Sequence, residues 1–127
     1  MVKHFLTLAG LSGLLAVALG AFAAHGLKGK LDAAMLSAFQ TGVQYHFYHT
    51  LALMMVCLLL LKFPANSLFT AAAWAFVLGI LLFSGSLYGL ALGAPRWLGP
   101  VTPLGGLSFM IGWMLLTIGA WRLKEWM

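Results

Sequence analysis

Apolar residues run along this chain in four long blocks, without the strict alternation of a strand. The blocks cover about Phe5 to Ala24, Gln44 to Leu61, Leu68 to Leu92 and Leu104 to Trp121. Each is close to the ~20 residues needed to cross ~30 Å of hydrocarbon. The pattern predicts an all-α integral membrane protein: four transmembrane helices in a compact bundle of two hairpins, filling residues 1–127 as a single domain.

The breaks between blocks follow helix chemistry. Asn66 and Ser67 are placed to cap the third span by accepting its orphan backbone N–H bonds. Thr102 followed by Pro103 reads as an N-cap with proline at the first helical position. The four prolines, Pro64, Pro95, Pro100 and Pro103, lie between spans or at the start of one, and no span is expected to be interrupted in its middle. Before the second span, Ser37, Gln40, Thr41 and Gln44 form one stripe and Leu36, Phe39, Val43 and Phe47 another. This predicts an interfacial helical lead-in over about 33–43, capped by Asp32 and bending at Gly42. A continuous helix from Ala33 to Leu61 would measure about 43 Å.

Lys3, the first apolar block and Ala21-Phe22-Ala23 imitate a secretory signal. The apolar block exceeds the usual core of about 7–15 residues, so a retained span is expected.

Composition agrees with the blocks. The chain is 63% hydrophobic and 7% charged, whereas soluble domains are roughly a quarter charged. A net charge of +5 raises nucleic acid as a partner. The positions argue against it: Lys3, Lys28, Lys30, Lys62, Arg96, Arg122 and Lys124 all lie at span ends or in loops, as topology determinants do. With an even number of spans, Lys3, Lys62, Arg122 and Lys124 share the terminal side and Lys28, Lys30 and Arg96 the other. The small excess favours cytoplasmic termini. Cys57, the one cysteine, reads as a small buried hydrophobe.

Glycines carry a packing signal. Gly105, Gly112 and Gly119 recur every seven residues, as do Gly13 and Gly20, while Gly85, Gly89 and Gly93 recur every four. Small residues on one side let helix backbones approach closely in lipid.

The polar residues predict a site. Topology places His25, Gln44, Tyr45, His46, His49, Ser84, Ser86, Tyr88 and Thr102 in the membrane half opposite the termini. Thr7, Ser12, Thr70 and Thr117 are left in the other half. Polar groups at membrane depth need partners, and three readings compete. The first is interhelical hydrogen bonding. The second is a pocket for a lipid headgroup, quinone or other small amphiphile, built on His25, Tyr45 and His49. The third is a metal or haem site using His25, His46 and His49. For a metal, no carboxylate or thiolate completes the set; for catalysis, no buried acid orients a histidine, since Asp32 and Glu125 lie outside the spans. In the leading arrangement His25, Tyr45 and His49 come within hydrogen-bonding reach, with Ser84, Ser86 or Tyr88 as further partners. No cofactor is implied.

Four segments carry a family resemblance: Gly20-Ala21-Phe22-Ala23-Ala24-His25-Gly26, Thr41 through Ala52, Phe83-Ser84-Gly85-Ser86-Leu87-Tyr88 and Thr102-Pro103-Leu104-Gly105-Gly106. Together they resemble signatures of the YgdD-like family of small inner-membrane proteins, a family without an assigned function, and the likeness extends over essentially the whole chain. It implies a bacterial cytoplasmic-membrane protein and weights His25, Gln44, Tyr45, His49, Ser84, Ser86, Tyr88, Thr102 and Pro103, with less weight on His46. The expected function is non-enzymatic, exercised by packing against itself, membrane lipids or a larger membrane complex.

Overall fold

The computed structural model describes residues 1–124; Glu125, which the sequence places beyond the spans, lies outside the described residues. Helix α1 covers Val2–His25, α2 Ala33–Lys62, α3 Ser67–Gly79, α4 Gly85–Ala91 and α5 Val101–Trp121. A π-helical turn, Ile80–Ser84, joins α3 to α4 into one span, and a 3-10 turn, Arg96–Leu98, precedes α5. Among the described residues four helices are long and apolar enough to cross a membrane. The fold is therefore all-α, with α1 packed on α2 and the third span packed on α5.

Local sequence sets the helix ends. The Asp32 carboxylate accepts from the Met35 backbone N–H, and the Asn66 side chain accepts from both Leu68 and Phe69. Each satisfies donors that the first helical turn leaves orphaned. The Thr102 cap is not formed. Helix α5 starts two residues earlier, at Val101, and the Thr102 hydroxyl bonds Ser86 instead.

Two further expectations are corrected. The lead-in and second span are one helix of 30 residues, unbroken at Gly42. Gly42 is instead a close-approach point, where a methyl group would fall 2.8 Å from the Tyr88 ring. The third span is not regular throughout, because the wide turn at Ile80–Ser84 sits inside it. Such a turn inserts one residue without unwinding the helix, rotating the remainder of the span by about 100°. Ser84 at its end and Tyr88 one turn further on both face α2, with Ser84 donating to the Gly42 carbonyl at 2.7 Å and Tyr88 bonding His46.

The core lies between α2 and the third span. Phe5, Leu53, Val56, Phe69, Phe76 and Phe109 are buried there together with Cys57. A second apolar cluster around Phe39, Ala23, Leu27 and Ala91 closes the opposite end.

The two glycine series with seven-residue spacing face helices of the same chain. A methyl at Gly105 would fall 2.6 Å from Phe83 Cα, at Gly112 2.5 Å from the Phe76 ring, and at Gly119 2.8 Å from the Phe69 ring. Phe69, Phe76 and Phe83 are themselves spaced by seven, so the Phe69 and Phe76 rings and the Phe83 backbone meet the notches of α5 in a single antiparallel register. Phe109 lies over Gly79 in the same register, filling a notch in α3 from α5. On α1 the contacts are looser: Gly13 faces Thr50 at 3.6 Å and Gly20 faces Val43 at 3.3 Å. The series spaced by four is not a packing face. Gly85 meets nothing within 4 Å, Gly89 meets only a loop leucine and Ala94, and Gly93 makes a left-handed turn at φ 96°.

Candidate functional site

Most of the buried polar side chains fall into two groups, both built on α2. His46 and His49 are one turn apart on this helix and point to different neighbours.

His46 is the hub of the first group. Its Nδ1 lies 2.9 Å from the Tyr88 hydroxyl and its Nε2 2.9 Å from Ser12 Oγ. Ser12 Oγ lies 2.6 Å from Thr50 Oγ1, and Thr50 donates to the His46 carbonyl at 2.8 Å. A carbonyl only accepts, which fixes the direction of the whole chain. Thr50 gives its proton to the carbonyl, so Ser12 must donate to Thr50. His46 Nε2–H must then donate to Ser12, and Nδ1 accepts from Tyr88. His46 is thus a neutral imidazole protonated at Nε2, tying α1, α2 and α4 together.

His49 has the opposite tautomer. Its Nδ1 lies 2.8 Å from the Tyr45 carbonyl and must donate there, while Nε2 accepts from the Trp113 indole N–H at 3.1 Å. The ring stacks on Phe109 with centroids 3.5 Å apart and planes at 7°. This second group ties α2 to α5. The fourth span is further held by Ser108 donating to the Ala75 carbonyl at 2.7 Å and by Thr102 donating to Ser86, which passes its own proton to the Phe83 carbonyl. Among the described residues no buried side-chain nitrogen or oxygen lacks a hydrogen-bond partner.

The sequence-derived candidates divide accordingly. His46, His49, Ser84, Ser86, Tyr88 and Thr102 enter the bonded interior. Tyr45 contributes its carbonyl and packs its ring against Phe83 at a 40° tilt, with its side chain partly exposed. Gln44 is exposed and outside the network. His25 does not meet Tyr45 and His49: it is exposed at the end of α1, and Ser12, the α1 residue at His46, lies about 20 Å back along that helix. No group of three or more His, Cys, Asp or Glu residues able to hold a metal occurs among the described residues. Ser12, assigned by sequence to the other half of the membrane, belongs to the cluster. So do Thr50, Ser108 and Trp113, which no sequence pattern singles out.

Two grooves open beside these groups. One, of about 300 Å³, runs between α1 and the third span over Ser12, His46 and Tyr88. The other, of about 560 Å³, lies between α2 and α5 over Tyr45, His49, Phe109 and Trp113.

Residues 19–106 match the family model described as "Protein of unknown function (DUF423)". The chain belongs to this family. Its relatives cover it almost end to end. It is 46% identical over 119 residues to the UPF0382 membrane protein YwdK of Bacillus subtilis, covering 94% of this chain and 97% of that one. Identity to a UPF0382 membrane protein of Haemophilus influenzae is 45% over 125 residues, covering 98% and 99%. Identity to the inner membrane protein YgdD of Escherichia coli is 42% over 128 residues, covering 97% and 93%. The resemblance seen in the sequence motifs is thereby shown, and this DUF423 chain is a membrane protein. No solved structure matches it.

Proposed function

We propose that this protein is a non-catalytic membrane scaffold, whose interior polar groups fasten its helices and whose role is exercised by its outer surface against lipids, another copy or a larger membrane complex. The observation that carries this reading is the commitment of both nitrogens of both buried histidines. His46 is held by Tyr88 and Ser12, His49 by Tyr45 and Trp113. A metal ligand needs an uncommitted ring lone pair and a general base must reach a substrate proton, whereas these nitrogens bond groups on the chain's own helices and the His46 chain ends on a backbone carbonyl. The excess of basic residues on the terminal side favours both termini in the cytoplasm, which reporters fused to either end would test.

The second reading is a small amphiphile bound between α2 and α5. Its support is the Tyr45 hydroxyl, which has no hydrogen-bond partner among the described residues and borders that groove. The two readings separate on purification from native membranes followed by mass spectrometry of extracted small molecules and an absorption spectrum. The scaffold reading expects bulk lipid alone, unchanged in Tyr45→Phe. A stoichiometric compound lost from Tyr45→Phe would replace it with the binding site.

A further inference from the structure

The face of α2 turned away from the third span meets the described residues only along one edge, where Gln40 and Gln44 line a groove with Gly20 and Ala23 of α1. Ser37, Gln40, Gln44 and Tyr48 succeed one another along it, all exposed. Among the described residues none of these four side chains makes a hydrogen bond. Every buried side-chain nitrogen and oxygen among the described residues, by contrast, is satisfied.

Water would make that difference trivial, but depth does not allow it. Helix α2 has 30 residues, about 45 Å against ~30 Å of hydrocarbon. With Lys62 at one interface, a span of ~20 residues reaches back to about Gly42. Ser37 and Gln40 then lie at headgroup level, while Gln44 and Tyr48 are inside the hydrocarbon. A primary amide facing acyl chains is costly unless a neighbour bonds it.

We propose that this face is the contact between two copies of the chain, related by a two-fold axis along the membrane normal. The inference rests on the scaffold reading and names its partner. Copies inserted in the same orientation place identical residues at identical depth, so Gln44 meets Gln44 and Gln40 meets Gln40. A glutamine amide is donor and acceptor at once and pairs with its own copy. The stripe carries no charge, so self-association meets no repulsion. Leu51 and Met55 continue the exposed face toward Lys62 and supply apolar contact below the amides. A chain of different sequence would have to offer matching polar groups at the same depths, a requirement that a second copy meets by symmetry.

The test uses the full chain in native membranes. Cys57→Ala removes the buried native thiol, and Gln44→Cys is then oxidised, with Leu14→Cys on α1 and Met110→Cys on α5 as controls. Disulfide-linked dimer is expected from Gln44→Cys and not from the controls. In the cysteine-containing chain, Gln40→Leu with Gln44→Leu should weaken dimerisation about ten-fold or more in single-molecule photobleaching, with helicity unchanged. A monomer in lipid, cross-linking only through Leu14 or Met110, or a lipid or different protein held on the stripe would each overturn the dimer. Those outcomes leave the non-catalytic reading standing, since that reading falls on a stoichiometric ligand lost with Tyr45.

Discussion

The two outermost helices are attached by different chemistry. Helices α1 and α5 both meet their partners in an antiparallel register of seven residues: Gly13 and Gly20 against Thr50 and Val43 on one side, Gly105, Gly112 and Gly119 against Phe83, Phe76 and Phe69 on the other. On α5 aromatic rings enter the notches at Gly112 and Gly119 and the Phe83 backbone closes on Gly105, so fit holds the helix. On α1 the glycines stand at nearly ordinary contact distance, and the Ser12–Thr50 and Ser12–His46 hydrogen bonds supply the specificity. The same spacing in sequence thus gives two kinds of seam, and the residue opposite the glycine decides which.

The largest expected effect belongs to the aromatic seam. At Gly105 the neighbour is the Phe83 backbone, which cannot rotate away as a side chain can. Gly105→Ala should cost about 3 kcal/mol or more, read as unfolding free energy by steric trapping in bicelles. A neutral result would mean that α5 is not seated as described. The polar seam comes next. His46→Leu removes the donor to Ser12 and the acceptor of the Tyr88 hydroxyl across three helices and should cost about 1–3 kcal/mol. An equal loss from Gly13→Ala would move the weight of that seam from hydrogen bonds to fit.

Smaller effects sharpen the picture. His49→Gln keeps an acceptor for the Trp113 indole and should lose less stability than His49→Leu, by about 1 kcal/mol in the same assay. Equal losses would make the ring stack on Phe109, rather than the hydrogen bond, the important contact. Gly85→Ala should be neutral or stabilising by up to ~1 kcal/mol, because open space surrounds that position and alanine is the better helix former. Destabilisation there would return Gly85 to the packing role its four-residue spacing first implied.

The fold and the glycine side of the α5 seam were legible in the sequence. Four apolar blocks gave the span count, and the glycine period gave the face of α5. Its partner was left open, although Phe69, Phe76 and Phe83 repeat with the same period. The polar site was only half legible. Starting the second span near Gln44 put His46 and His49 in its first turns, beside His25. Helix α2 instead brings Ser12, about 20 Å from His25 along α1, level with His46. The geometry was implicit in the Asp32 cap. The π turn had no sequence signal: Ile80–Ser84 reads as ordinary apolar helix, and the wide turn emerges where Phe83 and Ser84 meet close approaches from α5 and α2 at once.

The central claim, that the two histidines are internal fasteners with every ring nitrogen committed, is tested most directly by solid-state nitrogen NMR of histidine-labelled protein in lipid bilayers. The account predicts two neutral imidazoles of opposite tautomer, His46 protonated at Nε2 and His49 at Nδ1, each keeping its tautomer while the unprotonated nitrogen loses its hydrogen-bond shift when Tyr88→Phe or Trp113→Phe removes the donor. A shared tautomer, an imidazolium at His49 or a metal-shifted nitrogen at either residue would contradict it.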